Sequence, residues 1–191
     1  MAKDKKIVPV KLAHIVLKTK QFEAMASWYG KVFHMEDVFK NDILNFMTFD
    51  EEHHRLVLIN MPSEIGDHDP MRVGLGHYAF SYANLDDLLE TYVRLKGQGI
   101  VPFFPINHGM TTSLYYKDPD GNEVELMIDN FSTPEESKAY FQTEAFSANP
   151  IGHPFDPDIL SVGHKAGRPF AEVMAEAIAA ASDIAIPSAV E

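Results

Sequence analysis

Two stretches of the chain share one pattern: residues 12–32 read LAHIVLKTKQFEAMASWYGKV, and residues 75–95 read LGHYAFSYANLDDLLETYVRL. An offset of 63 residues (77 − 14) aligns His14 with His77 and keeps the apolar positions that follow in phase. In each stretch a short alternating run precedes apolar residues that recur at helical spacing. The pattern predicts a strand followed by an amphipathic helix, twice, and therefore a duplicated module.

Three short runs follow each predicted helix, and they have the length and residue types of strands. The expected fold class is therefore α+β, with one βαβββ module over residues 8–62 and another over residues 72–130 that together form one domain. Such a repeat can also be a purely structural way to close a sheet. The runs are Asp37–Phe39, Leu44–Phe49, Arg55–Asn60, Ile100–Phe104, Thr112–Lys117 and Glu123–Ile128.

Residues 131–191 differ in composition from both modules and are predicted to form a partly helical C-terminal extension. Helices are expected over Pro134–Thr143 and over the alanine-rich stretch Pro169–Ala181. Asn149–Asp158 is rich in proline and glycine and is expected to form an ordered loop. The apolar stripe of the second helix suits packing on the same subunit and packing on a partner equally well.

The composition argues against several kinds of partner and site. The chain has 191 residues, of which 46% are hydrophobic, so it can bury a core. Its formal net charge of −12 gives nucleic acid little to bind. Because cysteine is absent, a metal would need histidine and carboxylate ligands. No apolar stretch approaches the ~20 residues that span a membrane, and a cytoplasmic protein is expected.

His14 and His77 occupy the same position in the two repeats. A single histidine on a strand is more often a packed or surface residue than a ligand. Two that match across a repeat become neighbours if the modules pack about a pseudo-twofold axis. The repeat alone does not choose between these interpretations, so a third residue has to be considered.

Glu125 is the carboxylate that would complete such a site. The preceding segment Asp118–Asn122 has the composition of a tight turn, since proline fixes φ and glycine allows a positive φ. In the strand that follows, alternation places Glu123 and Glu125 on one face. Glu123 lies near the turn with a route to solvent. Glu125 lies deeper, where a carboxylate is costly unless it is paired or bound to a cation.

The longest motif runs from His108 through Leu114-Tyr115 and Asp118-Pro119-Asp120-Gly121 to Glu125. Its order and spacing resemble those of the type I extradiol ring-cleavage dioxygenases. These enzymes belong to the vicinal oxygen chelate superfamily, whose modules are βαβββ units. The resemblance covers residues 8–130. The turn sequence alone is not specific, because other members of the superfamily share it.

The resemblance implies a site and a reaction. His14, His77 and Glu125 match the residues that hold Fe(II), with Mn(II) as an alternative metal. His108 and Tyr115 match a pair that serves the substrate hydroxyls and the oxygen. The implied substrate is a catechol-type 2,3-dihydroxy aromatic compound, whose ring opens beside the diol when O2 is added. The residues alone leave simpler interpretations open, namely a surface loop histidine and a core tyrosine.

Two imidazoles and one carboxylate leave adjacent octahedral positions open, which suits a chelated diol with O2 beside it. Matching Asp50–Leu58 with Lys117–Glu125 places Leu58 where the second repeat has Glu125. Isomerases and epimerases of the superfamily use a fourth protein ligand there. Because Val57, Leu58 and Ile59 cannot bind a metal, the comparison favours a dioxygenase.

Further residues are expected to complete the pocket. His54, at the entry to a strand, is a candidate contact for a hydroxyl or an acid group of the substrate, and an ordinary loop histidine is the alternative. Asn149–Gly152 and Phe155–Asp158 resemble elements of small aromatic-diol dioxygenases. Dioxygenases of this type often carry four modules, whereas two are present here. We therefore expect the C-terminal extension or a second subunit of a homo-oligomer to complete the pocket.

Two other functions suit the same fold. A metal-dependent isomerase or lyase, similar to glyoxalases and epimerases, would need no O2. A non-catalytic protein of the antibiotic-sequestering kind would have little reason to keep both histidines and the glutamate. The expected partners are therefore a small aromatic diol and O2, with no nucleic acid and no membrane.

Overall fold

The computed structural model describes residues 6–66, 69 and 72–181. Residue contacts divide the chain into two compact units, Met1–Asp67 and His68–Glu191. The boundary lies between the two predicted modules, and each unit contains one sheet. In the part of the chain that is described, the helices are too short or too polar to cross a bilayer.

The first unit is a βαβββ module. Its elements are β1 (Ile15–Thr19), α1 (Phe22–Phe33), β2 (Glu36–Lys40), β3 (Leu44–Thr48) and β4 (Leu56–Asn60). The sheet has the order β1-β4-β3-β2, in which β1 and β4 are parallel and the other pairs are antiparallel. Helix α1 fully buries Met25, Tyr29 and Val32, which share one helical face.

The second unit repeats this topology and adds a strand. Its module consists of β5 (His77–Ser81), α2 (Leu85–Lys96), β6 (Phe104–Asn107), β7 (Thr111–Lys117) and β8 (Glu123–Asp129). The sheet order β5-β8-β7-β6 is that of the first unit, and a fifth strand from the C-terminal extension pairs with β6. The duplicated α+β fold predicted from the repeat is confirmed.

One predicted strand begins later than expected. The run Ile100–Phe104 overlaps β6 only at its last residue, whereas the other five runs agree with their strands to within one residue at either end. Gly99 has a φ of +77°, and the N–H of Ile100 donates to the carbonyl of Leu95. Ile100 therefore still belongs to the C-terminal turn of α2, where a glycine with positive φ is typical.

The C-terminal extension contains α3 (Pro134–Tyr140), α4 (Glu144–Ala148), β9 (His153–Pro154), α5 (Pro157–Lys165) and α6 (Phe170–Ala180). The helix expected over Pro134–Thr143 ends earlier because the Thr143 side chain caps α4 instead. The expected loop Asn149–Asp158 was wrong in part, since it contains β9 and the start of α5. Asp156 caps α5 there, and Pro157 opens it. Residues 182–191 lie outside the described part.

The apolar stripe of α6 packs on α5 of the same chain. Val173, Met174 and Ala177 are buried. A Cβ placed on Gly163 of α5 would lie 2.4 Å from Cγ1 of Val173, so the two helices meet without room for a side chain. Of the two arrangements that the sequence left open, the structure shows packing within the subunit.

We expect the substitution Gly163→Ala to lower the free energy of unfolding by about 1–3 kcal/mol, because the β-branched Val173 is stiff and cannot yield to the new methyl group. Gly97→Ala is the matched control, since a Cβ at Gly97 would meet its neighbours only at 3.5 Å or more. Urea denaturation of the three proteins measures the difference. A Gly163→Ala protein as stable as the unmodified chain would contradict this packing.

Candidate metal centre

Strands β5 and β8 bring His77 and Glu125 together. The parallel pairing sets His77 beside Glu123 and Ala79 beside Glu125, and alternation places these side chains on one face of the sheet. Nε2 of His77 lies 3.2 Å from Oε2 of Glu125. The side chain of Glu125 is 8% exposed and that of His77 is 43% exposed, so the pair reaches from the interior to the surface.

Glu125 is ionised despite its burial. Burial by itself raises the pKa of its carboxyl, but hydrogen bonds from His77 and from the hydroxyl of Ser113 outweigh that effect and hold the pKa below its ordinary value. The hydrogen bond to Glu125 in turn raises the pKa of His77 against the opposing effect of burial. A buried carboxylate beside an imidazole is a donor pair suited to a divalent cation.

Tyr115 and His108 lie next to the His77–Glu125 pair. Tyr115 lies opposite Glu125 in the antiparallel pair of β7 and β8. Its hydroxyl is 3.2 Å from Nε2 of His108, and its ring stands edge-on to the ring of His77 with the centroids 5.1 Å apart. Burial, the charge of Glu125 and a hydrogen bond to it raise the pKa of the Tyr115 hydroxyl, which therefore keeps its proton at neutral pH.

The turn between β7 and β8 fixes this register. One carboxylate oxygen of Asp118 accepts hydrogen bonds from the backbone N–H groups of Asp120 and Asn122, at 3.0 and 2.9 Å. The other oxygen accepts one from Nδ2 of Asn122 at 2.8 Å. Gly121 supplies the positive φ, +85°, that the turn needs. Because a slip by one residue would turn Glu125 to the other face, this turn determines what Glu125 contacts.

The first unit contains a separate group of histidines. The rings of His14 and His54 lie 4.4 Å apart between centroids, and Phe46 stands edge-on to His54 at 5.0 Å. Nδ1 of His53 is hydrogen-bonded to Nδ1 of His54 at 2.6 Å. Burial, together with the neighbouring His14 and His53, lowers the pKa of His54, so that its neutral form is favoured. His14 itself is exposed and directly precedes β1.

The first-unit equivalent of Glu125 is Val57, and its assignment to Leu58 was wrong. Glu125 pairs with Ala79, two residues after His77, whereas Val57 pairs with Val16, two residues after His14. The loop between β3 and β4 is longer than the turn between β7 and β8, so counting through it misplaced the register by one. Valine cannot bind a metal either, so the position still offers no fourth ligand.

Two contacts of the site were missing from the sequence prediction. The hydroxyl of Ser113 hydrogen-bonds to Glu125, and the two-residue period of β7 could have identified it, because Ser113 shares a face with Tyr115. The carbonyl oxygen of Ile151 lies 2.5 Å from Nδ1 of His108. A backbone carbonyl carries no side-chain pattern, so no signal in the sequence pointed to it.

The described residues bring together four of the six predicted site residues within the second unit, namely His77, Glu125, Tyr115 and His108. His14 and His54 meet in the first unit. No group of three or more histidines and carboxylates within the described ranges has the geometry of a metal site. The shared site of His14, His77 and Glu125 therefore stays a prediction.

Comparisons with known proteins identify the relatives of the chain. Residues 11–126 match the model of the Glyoxalase/Bleomycin resistance protein/Dioxygenase superfamily. Biphenyl-2,3-diol 1,2-dioxygenase 2 from Rhodococcus globerulus is 48% identical over 159 residues, 83% of this chain and 84% of that protein. Biphenyl-2,3-diol 1,2-dioxygenase 3 from the same organism is 46% identical over 171 residues, 89% of this chain and 90% of that protein.

Solved structures share the fold at lower identity. A glyoxylase/bleomycin resistance protein/dioxygenase domain from Frankia sp. superposes with a TM-score of 0.54 at 21% identity, over 64% of this chain and 100% of that one. A lactoylglutathione lyase from Agrobacterium tumefaciens gives a TM-score of 0.50 at 24% identity, over 63% and 94% of the two chains. These likenesses concern the fold alone. The family model and the two dioxygenases establish that the chain belongs to the Glyoxalase/Bleomycin resistance protein/Dioxygenase superfamily.

Proposed function

We propose that the chain is an extradiol dioxygenase, which adds both atoms of O2 to the ring of a 2,3-dihydroxy aromatic compound. The observation that carries the proposal is the group of His77, Glu125 and Tyr115 on one face of the second sheet, with His108 beside the hydroxyl of Tyr115. It is supported by two relatives at 48% and 46% identity, both of which are biphenyl-2,3-diol 1,2-dioxygenases. A biphenyl-2,3-diol is accordingly the first substrate to test.

The metal in this proposal is Fe(II), with Mn(II) as the alternative, held by His14, His77 and Glu125. The separation of 3.2 Å between Nε2 of His77 and Oε2 of Glu125 suits a shared ion. Two adjacent donors that are each about 2.1 Å from one metal lie about 3 Å from each other. His14 is the third ligand by its repeat position. When bound, the metal supplies a place where diol and O2 are held together and electrons pass between them.

The residues of the chain supply binding and proton transfer. Tyr115 keeps its hydroxyl proton at neutral pH and can donate a hydrogen bond to a substrate oxygen. Nε2 of His108, 3.2 Å from that hydroxyl, can take up or release a proton beside it. Neutral His54 can accept a hydrogen bond from a substrate hydroxyl.

The residues of this site favour a dioxygenase over the two other functions considered, an isomerase or lyase and a non-catalytic binding protein. An isomerase or lyase of the superfamily would use a fourth protein ligand, and the equivalent position holds Val57. A binding protein that needs no metal gains nothing from a buried ionised Glu125, because burying a charge is costly. O2 consumption that depends on the diol distinguishes the dioxygenase from both.

We also propose a homo-oligomer. β2 is an edge strand on which every residue is exposed, including the large apolar Val38 and Phe39. Three of its five residues are charged, but the backbone groups of an edge strand can still pair with another chain, and a second copy would then cover Val38 and Phe39. Sedimentation equilibrium tests this, and a monomer at micromolar concentration would rule it out.

We expect the protein, purified without O2, to bind one Fe(II) per chain. His14→Ala, His77→Ala and Glu125→Gln should each lower the affinity for iron by about tenfold or more, because each removes one ligand. The control Glu123→Gln alters a carboxylate on the same strand and face and should leave iron binding unchanged. Iron content after equilibrium dialysis measures the effect. Full iron binding by the His14→Ala protein would exclude His14 as a ligand.

The iron-loaded protein should consume one O2 for each 2,3-dihydroxybiphenyl and give a yellow ring-opened product. Tyr115→Phe and His108→Gln should lower kcat by about 10²- to 10⁴-fold while the iron stays bound. Tyr116→Phe is the matched control, because Tyr116 faces the opposite side of β7 and its buried hydroxyl has no hydrogen-bond partner among the described residues. An iron-loaded protein that turns over no diol would refute the proposed function.

A further inference from the structure

The C-terminal extension touches the candidate site through a short segment, Asn149–Pro154, which we term the strap. Its last two residues form β9, where His153 pairs with Asn107 of β6. This pairing carries Ile151 to the loop that follows β6. There the carbonyl oxygen of Ile151 lies 2.5 Å from Nδ1 of His108.

The strap is held in this shape by its own hydrogen bonds. Nδ2 of Asn149 donates to the carbonyl of Gly152 at 2.7 Å, and Oδ1 of Asn149 accepts from the N–H of Gly152 at 3.0 Å. Gly152 has a φ of +103°. A Cβ at this position would lie 2.2 Å from the carbonyl oxygen of Asn107 and 2.7 Å from Cα of His108. Only glycine fits at this position, where the strap crosses the backbone of Asn107 and His108.

Packing adds to these polar contacts. The side chain of Ile151 packs against the buried cluster of Phe104, Ile106 and Tyr115. The carbonyl of Ile151 therefore contacts His108, and its side chain packs against the cluster to which Tyr115 belongs. Any displacement of the strap changes the surroundings of both.

The contact with the carbonyl of Ile151 determines which tautomer the neutral His108 ring adopts. A carbonyl oxygen can only accept, so Nδ1 must be the donor in the neutral ring as well as in the charged one. Nε2 then carries no proton in the neutral ring. That nitrogen faces the hydroxyl of Tyr115 at 3.2 Å.

We propose that the strap is a positioning element of the active site, which holds His108 in the Nδ1–H tautomer through the carbonyl of Ile151 and directs Nε2 at Tyr115 and the substrate. The catalytic use of this arrangement rests on the proposed function. The tautomer itself does not, because it follows from contacts within the protein.

The first test observes the tautomer without substrate or metal. In ¹⁵N-histidine-labelled, metal-free protein near pH 8, long-range ¹H–¹⁵N correlation spectra should show His108 with a protonated Nδ1 and an unprotonated Nε2. The His108→Gln variant identifies the resonances by their loss. A ring protonated at Nε2, or an equal mixture of the two tautomers, would overturn the proposal.

The second test moves the strap. Gly152→Ala should lower kcat about tenfold or more, with little change in iron content or in KM for the diol, and should shift His108 towards a mixture of tautomers. Gly167→Ala is the matched control, because Gly167 also has a positive φ, +73°, but a Cβ there would contact nothing within 4 Å. Folding of both variants is checked by thermal unfolding.

The outcomes separate the two proposals. A Gly152→Ala protein that keeps both the tautomer and kcat would show that the strap does not position His108. An unmodified protein that shows the Nδ1–H tautomer but consumes no O2 with any diol would refute the dioxygenase and leave the positioning role of the strap standing. Loss of kcat in Gly152→Ala with an unchanged tautomer would also count against the strap.

Discussion

The second unit is organised around one ionised carboxylate, that of Glu125, inside a sheet. Taking a carboxylate out of water is costly, and here the cost is offset by hydrogen bonds from His77 and Ser113. Those partners reach it only in one register of β5, β8 and β7. The Asp118 turn sets that register between β7 and β8, so the geometry of the site follows from a few backbone hydrogen bonds.

The two units share one topology but carry different residues at the position of this carboxylate. Where the second unit has Glu125 opposite Tyr115, the first has Val57 opposite Phe46. One copy of the repeat therefore carries the polar array, and the other presents an apolar face with histidines at its edge. At this position only the second repeat supplies a carboxylate.

Much of the fold could be predicted from the sequence. The spacing of apolar residues and the internal repeat indicate where strands and helices lie and which of their faces are buried. The matched histidines located β5, which begins at His77, and β1, which begins one residue after His14, and the phase of Glu125 placed it correctly within β8. Counting through loops was less reliable, and it gave Leu58 in place of Val57. The contact of His108 with the carbonyl of Ile151 was beyond prediction, since it joins residues 43 apart through an atom that every residue has.

The central claim is that one metal ion is bound by His14, His77 and Glu125. Anomalous diffraction at the iron absorption edge, from crystals loaded with Fe(II) without O2, tests it most directly. We predict one iron peak per chain, within bonding distance of both imidazoles and of the Glu125 carboxylate. A peak without His14 among its ligands, or iron bound only elsewhere on the chain, would contradict it.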